Sequence, residues 1–174
     1  MRLIAAWALA ALMFISACAD ELPATSSLKV DLKEVVATGK VEPVDGITPA
    51  GQPDVAALKV FADNGYEAVI DLRTATEDRG MDEPTAVEEL GMRYVSMPID
   101  SDDITFESAA ALDELLAGFE GPVLLHCASS NRVGALLALR ASAKGMDDEQ
   151  AIELGRRAGM TRLESAVREA LADI

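Results

Sequence analysis

The feature that most restricts the fold is an alternation between short apolar runs and stretches of helical spacing. Ala68-Val69-Ile70-Asp71-Leu72, Met92–Met97 (MRYVSM) and Val123-Leu124-Leu125-His126 are the runs. Each is too short for a helix and lies between Gly, Pro or polar turns, so each reads as a strand. The intervening segments read as helices. One begins at Pro53, with Val55, Leu58 and Phe61–Ala62 on one face and Asn64-Gly65 as its stop. A second covers Glu83–Leu90 and closes at Gly91. A third is capped by Thr105 and runs to about Phe119, with Ala109, Leu112, Leu115 and Leu116 inward, until Gly121-Pro122 breaks it. Three more follow the last strand. The stretch GALLALRASAKG after Arg132 ends at Gly145, and capping boxes of Asp147 with Gln150 and Thr161 with Glu164 open helices over Asp148–Ala158 and Arg162–Leu171. This order predicts an α/β fold: a central, mainly parallel sheet of four to five strands flanked by helices on both faces. Ligands of such sheets gather at the carboxyl ends of the strands.

The remaining segments are read more simply. Leu28–Val36 (LKVDLKEVV) alternates as an edge strand. Val41–Pro53 holds three of the seven prolines and is expected to be an ordered loop. Thr74–Met81 is a polar loop and Pro98–Ile104 an acidic one. A chain of 174 residues suits about one domain beyond its N-terminus, and with 4% aromatic residues its core must be aliphatic. The net charge of −15 argues against a nucleic-acid partner, which would need clustered Lys and Arg. That charge is uneven: Asp20–Leu125 carries 23 acids and 7 bases, and His126–Ile174 carries 7 of each. The bases Arg156, Arg157, Arg162 and Arg168 on the last helices read as solvated faces.

The first residues, MRLIAAWALAALMFISAC, join one basic residue to an apolar run with the layout of a secretory signal. Ile15-Ser16-Ala17-Cys18 resembles the lipobox of bacterial lipoproteins. The resemblance implies a signal peptide over 1–17, an acylated Cys18 that anchors the chain to a membrane, a tether over 18–27 and a domain over 28–174. It also implies a periplasm-facing protein, and Ala19 after the Cys favours the outer membrane. Export permits disulfides, but with Cys18 acylated, Cys127 has no partner in its own chain.

Cys127 stands where a buried strand meets a helix. The turn Cys127–Arg132 and the first turn of the following helix bring several backbone N–H groups to one place, together with the positive end of the helix dipole. An anion is stabilised there, and so is the thiolate of Cys127, which becomes a nucleophile. Arg132 offers a planar fork for two oxygens of an oxyanion. His126 points to the opposite side of the strand and is expected to hydrogen-bond the loop from behind. Arg73, at the end of its strand, is expected to form a structural ion pair, with Glu77 as the candidate partner.

His126-Cys127, Arg132 and the helix after them resemble the signature of the cysteine-dependent tyrosine and dual-specificity phosphatases. More narrowly, the chain resembles the bacterial beta-lactamase-hydrolase-like phosphatase family. The pieces that carry this are Ala50-Gly51-Gln52-Pro53, Val69–Arg73, Glu77, Leu90–Val95, Met97-Pro98-Ile99-Asp100 and Gly121-Pro122-Val123, in that order over about 40–172. The resemblance implies Cys127 as nucleophile, Arg132 as the oxyanion clamp, and Ala128, Ser129, Ser130, Asn131 and Val133 as the rest of the phosphate-binding loop. It implies a general acid from the Pro98–Ile104 loop, where Asp100 fits the position best and Asp102 and Asp103 compete. No cofactor is implied, and one His without a Cys pair gives no metal-site spacing.

Three features depart from the superfamily pattern. Four residues separate Cys127 from Arg132 where five are usual, a loop length shared with the narrower family and with rhodanese-type sulfurtransferases. Ser130 replaces a Gly, which brings strain if the position needs positive φ. Val133 replaces the Ser or Thr that donates to the leaving thiolate. The expected partner is therefore a small phosphorylated substrate or a phosphoprotein. A sulfur donor acting through a Cys127 persulfide is the alternative, and an impaired anion-binding module the third.

Overall fold

Four short parallel strands, β1 (Ile47–Ala50), β2 (Ala68–Asp71), β3 (Arg93–Ser96) and β4 (Val123–His126), form one sheet in the order β1-β4-β2-β3. The computed structural model describes residues 26–173, so Cys18 and the run before it lie outside the described residues. Among the described residues no helix is long and apolar enough to cross a membrane. Among the described residues seven α-helices surround the sheet: α1 (Leu32–Thr38), α2 (Val55–Asp63), α3 (Glu83–Glu89), α4 (Phe106–Leu116), α5 (Asn131–Ala143), α6 (Asp148–Arg157) and α7 (Glu164–Ala172).

Strand alternation divides the core in two. Ala68, Ile70, Val123 and Leu125 pack with α4–α7, where Leu112, Leu136, Leu139 and Ile152 are fully enclosed. Val69 and Leu124 face the other way, onto Leu58 and Phe61 of α2, Val87 of α3 and Val35 of α1. Alternate residues of β4 therefore belong to different cores, which sends His126 and Cys127 to opposite faces.

Two N-terminal expectations are overturned. Leu28–Val36 is not a strand: Asp31 accepts from the N–H groups of Lys33 and Glu34 and opens α1, and Gly39, at φ 66°, closes it. The Val41–Pro53 segment is not all loop, because Ile47–Ala50 pairs with β4 as the sheet edge. Pro49 is tolerated there because an edge strand has one unpaired side.

Smaller corrections concern the helices. Val55 is 54% exposed, while Ala57 joins Leu58 and Phe61 inside. Helix α5 begins at Asn131 and so includes Arg132. Asp147 caps α6 as expected. Thr161 caps nothing, because α7 begins at Glu164 after Leu163 with no side-chain cap. Three of the four bases expected on solvated faces do more: Arg156 pairs with Glu153 and Glu164, Arg168 with Glu149 and Glu164, and Arg157 donates to the Ser26 carbonyl, while Arg162 is exposed.

Helices α5 and α6 meet through two glycines. A Cβ on Gly134 would run into the Gly155 carbonyl and the Met160 amide, and one on Gly155 would sit 2.7 Å from the Gly134 carbonyl. The helices thus touch backbone to backbone, directly behind the Cys127 turn. Gly134→Ala is expected to lower stability by about 2–3 kcal/mol, since backbone cannot yield as a side-chain tip does. A urea titration showing a midpoint equal to the unsubstituted protein would contradict this packing.

Candidate active site

Three loops converge at the carboxyl edge of the sheet. The first leaves β4 at Cys127, whose side chain is buried on the α5 face. Ala128 and Ser129 form its exposed rim, and Ser130 turns the chain into α5. Among the described residues, no acceptor within the protein receives the backbone N–H groups from Ala128 to Val133. Those of Asn131, Arg132 and Val133 belong to the first helical turn, where no intrahelical acceptor exists. The turn is therefore a ring of free donors around the end of β4.

Ser130 adopts φ 70° and ψ 0°, the left-handed conformation for which Gly is suited. The strain expected from a Ser at this position is real, and two contacts hold it. Its hydroxyl donates to the Ala158 carbonyl at 2.8 Å, and Gly159, at φ 105°, leaves room for its Cβ. A Cβ on Gly159 would lie 2.6 Å from that of Ser130. Ser130 therefore ties the loop to the end of α6. Asn131 also faces away from the ring, with its Oδ1 accepting from the N–H groups of Thr161 at 2.7 Å and Arg162 at 3.0 Å. The Val133 side chain is wholly buried in the apolar core and supplies no donor to the sulfur.

The second loop follows β2 and supplies Glu77. Its carboxylate grips both terminal nitrogens of Arg132, and Thr74 holds it in place through its backbone N–H at 2.8 Å. This corrects the expectation for Glu77, which pairs with Arg132 and not with Arg73. Arg132 Nη1 also donates to the carbonyl of Ile99 at 2.9 Å and that of Leu72 at 3.3 Å. Both pKa values respond. The Arg132 hydrogen bonds hold the Glu77 carboxyl below its ordinary value against burial, and Glu77 raises Arg132, with Cys127 adding a further charge and hydrogen-bond contribution. The sulfur and the guanidinium are thus neighbours. With one edge of the fork fixed by Glu77, the other is left for a ligand oxygen.

The third loop follows β3. Ile99, whose carbonyl binds Arg132, immediately precedes Asp100. Asp100 is exposed and opens a single 3-10 turn over Ser101–Asp103, accepting from the Ser101 N–H at 2.6 Å. Asp103 turns back to the Asp100 N–H at 3.4 Å, and Asp102 is exposed further along. Of the three acids, Asp100 is the one whose backbone is fixed next to the clamp.

His126 behaves differently from the expectation. It makes no hydrogen bond to the Cys127 turn, and its side chain joins a buried polar group on the far face of the sheet. Register places Asp71 beside it, and Glu83 at the start of α3 lies above. His126 Nε2 is 2.8 Å from Glu83 Oε1, at ion-pair distance but not aligned for a hydrogen bond, and 3.9 Å from Asp71 Oδ1. Arg73 is completely enclosed here: it donates to Asp71 at 2.9 and 3.0 Å and pairs with Glu83. The structural ion pair foreseen for Arg73 therefore exists, with different partners. Tyr94 and Arg79 also donate to Asp71. Burial would raise the Asp71 pKa, but the Arg73 hydrogen bond, followed by the charge on His126 and the remaining donors, brings it down to about 2. Ligand atoms of Asp71, Glu83 and His126 lie within 4.8 Å of one another, as in a metal site. The Arg73 guanidinium already occupies those carboxylates, which makes the cluster an ion-pair network.

A four-stranded parallel sheet with a Cys-to-Arg turn at its carboxyl edge is the architecture expected of the tyrosine and dual-specificity phosphatase fold. The comparisons agree. The family model for the phosphatase-like domain of beta-lactamase hydrolase-like proteins matches residues 44–144, and the chain belongs to that family. The beta-lactamase hydrolase-like protein of Agrobacterium fabrum is 30% identical over 111 residues, which are 62% of this chain and 26% of that protein. The chain therefore spans about a quarter of that relative. Among solved structures, a Neisseria meningitidis protein is 23% identical with a TM-score of 0.61, over 71% of this chain and 91% of that one. A Cys-to-Ser variant of P. aeruginosa TpbA, in complex with pTyr, is 24% identical with a TM-score of 0.59, over 73% and 81%. These likenesses show the fold.

Proposed function

We propose that the chain is a cysteine-dependent phosphatase that hydrolyses a phosphomonoester through a phosphocysteine. The observation that carries this reading is the placement of a buried Cys127 beside Arg132, inside a turn whose amides have no acceptor in the protein. Three equatorial oxygens of a phosphoryl group suit such a ring, with Arg132 following them into the transition state. The Cys127 thiolate forms the S–P bond as the P–O bond to the leaving group breaks, and Asp100 gives that oxygen its proton. Water then attacks phosphorus with Asp100 as base, releasing phosphate and the thiolate. The Cys18 anchor and the tether up to residue 25, which lie outside the described residues, would hold this reaction at the periplasmic side of a membrane.

Sulfur transfer is the second reading, favoured by the four-residue spacing. The test offers the full chain phenyl phosphate and, separately, thiosulfate with cyanide. Phosphate release with no thiocyanate is expected. Thiocyanate alone would overturn the reading in favour of sulfur transfer, and silence in both, with phosphate still bound, would favour an anion-binding module. Asp100→Asn should slow phenyl phosphate about 10²-fold or more and para-nitrophenyl phosphate far less, because a good leaving group needs little protonation. Equal slowing of both would remove Asp100 from the acid role.

A further inference from the structure

The rim of the Cys127 turn adjoins a second cationic feature. Lys29 Nζ donates to the Ser129 carbonyl at 3.1 Å, and Lys29 and Lys33 line one cleft of about 570 Å³ with Gln52, Ala128 and Ser129. Their backbone is fixed. Leu28 and Lys29 donate to the Arg157 carbonyl, Val30 donates to the Pro49 carbonyl, and Asp31 caps α1 through the Lys33 N–H. The opposite wall is equally defined, since the Gln52 N–H donates to the Ala128 carbonyl and Gly51 packs on the same residue.

Charge makes this arrangement unusual in the molecule. With a net charge of −15, the protein commits most of its bases to acids: Lys59, Arg73, Arg79, Arg93, Arg132, Arg140, Lys144, Arg156 and Arg168 all have ion-pair partners. Among the described residues Lys29, Lys33, Lys40, Arg157 and Arg162 have none, and of these Lys29 and Lys33 share a cleft with Ala128 and Ser129 of the Cys127 turn. The one carboxylate in the cleft, Asp31, is held by the α1 amides. An ammonium that spends one hydrogen on Ser129 has two more to offer. Ser129 follows Cys127 by two residues, so its Cα lies within about 8 Å of that of Cys127.

We infer that Lys29 and Lys33 form a subsite for a second anionic group, carried by the substrate within about 10 Å of the phosphoryl group that Cys127 attacks. This rests on the phosphatase reading for turnover but not for binding. The ligand class is a phosphomonoester with a further phosphate or carboxylate. A small bisphosphate and a phosphopeptide with an acidic neighbour both present that chemistry. The local positive field offsets the repulsion that the acidic surface exerts on such a molecule.

The test compares phenyl phosphate with hydroquinone bisphosphate on the full chain at low salt. The bisphosphate is expected to have about tenfold higher kcat/KM, beyond the twofold owed to its two equivalent phosphates. Lys29→Ala should shrink that preference about fivefold and Lys33→Ala about threefold, mainly through KM, with Lys29→Arg restoring it. Half-molar NaCl should have a similar effect. In a second arm, a phosphotyrosine peptide with flanking Glu is compared with one flanked by Ala. A lysine-dependent gain in either arm supports the subsite and identifies its source, and a gain in neither overturns it. If Lys29→Ala slows phenyl phosphate and bisphosphate in equal proportion, and Lys33→Ala has no effect, Lys29 only positions the loop. Calorimetry of the Cys127→Ser chain with inorganic phosphate and hydroquinone bisphosphate separates the two readings. Tighter, lysine-dependent bisphosphate binding without turnover would sink the phosphatase and keep the subsite. Equal binding alongside normal turnover would do the reverse.

Discussion

Cys127→Ser is expected to lower kcat on phenyl phosphate by about 10⁴-fold or more while phosphate still binds within a few-fold of its original affinity. The two side chains are nearly the same size, and the site is enclosed, so the turn should keep its shape. The amides, Glu77 and Arg132 all remain, and these bind the oxyanion. What disappears is the nucleophile, because a serine hydroxyl without a nearby base is almost never ionised at neutral pH. Losses of this size are typical when an enzyme's attacking group is removed but its oxyanion-binding groups stay. A companion result follows from Val133. With no hydroxyl beside the sulfur, the thiolate is a poor leaving group in the second step, so the phosphocysteine should accumulate. Rapid-quench kinetics should show a burst followed by slow turnover, and mass spectrometry should find the phosphoryl group on the peptide containing Cys127. Phosphate turnover that survives Cys127→Ser would remove Cys127 as nucleophile.

The outline of this site was legible because its chemistry is local. Cys127 and Arg132 lie within one turn, and their relation follows from the strand before them and the helix after them. The sheet was legible for the same reason, since β2 and β4 are bounded apolar runs and β3 alternates. Strand β1 was hidden by its prolines, which matter little at an edge that pairs on one side. Helix α1 was misread because seven residues are too few to separate the two periodicities, so the cap residues Asp31 and Gly39 decide. The partners of the charged groups were least accessible. Glu77 meets Arg132 across 55 positions, and Lys29 meets Ser129 across 100. No local pattern encodes such meetings. What signal existed was topological: Glu77 lies in the loop after β2, which the parallel sheet must bring to the same edge as Cys127.

The buried network behind the sheet should be the most sensitive point for stability. Arg73→Met is expected to cost about 3–5 kcal/mol, a large share of the roughly 5–15 kcal/mol that holds a domain folded. The guanidinium, enclosed with Asp71 and Glu83, is what makes two buried carboxylates tolerable. Without it they are left close together, with only His126, Tyr94 and Arg79 near them. The loss should reach the active site, because Leu72, between Asp71 and Arg73, offers its carbonyl to Arg132 and its N–H to His126. Acidity supplies an independent readout. The Asp71 pKa of about 2 lies below the value of about 3.9 in an unfolded chain, so the unfolded state takes up the proton first as pH falls. This contribution, about 2–3 kcal/mol, is complete above roughly pH 5 and is lost as pH falls from there to about 2. Urea unfolding across that range should show the slope in the unsubstituted protein and a shallower one in Arg73→Met, where Asp71 is no longer held down. The combined Asp71→Asn, Arg73→Met and Glu83→Gln chain leaves no unpaired carboxylate and should recover most of the stability. If it is no more stable than Arg73→Met alone, the cost comes from lost packing and the electrostatic account of the network is wrong.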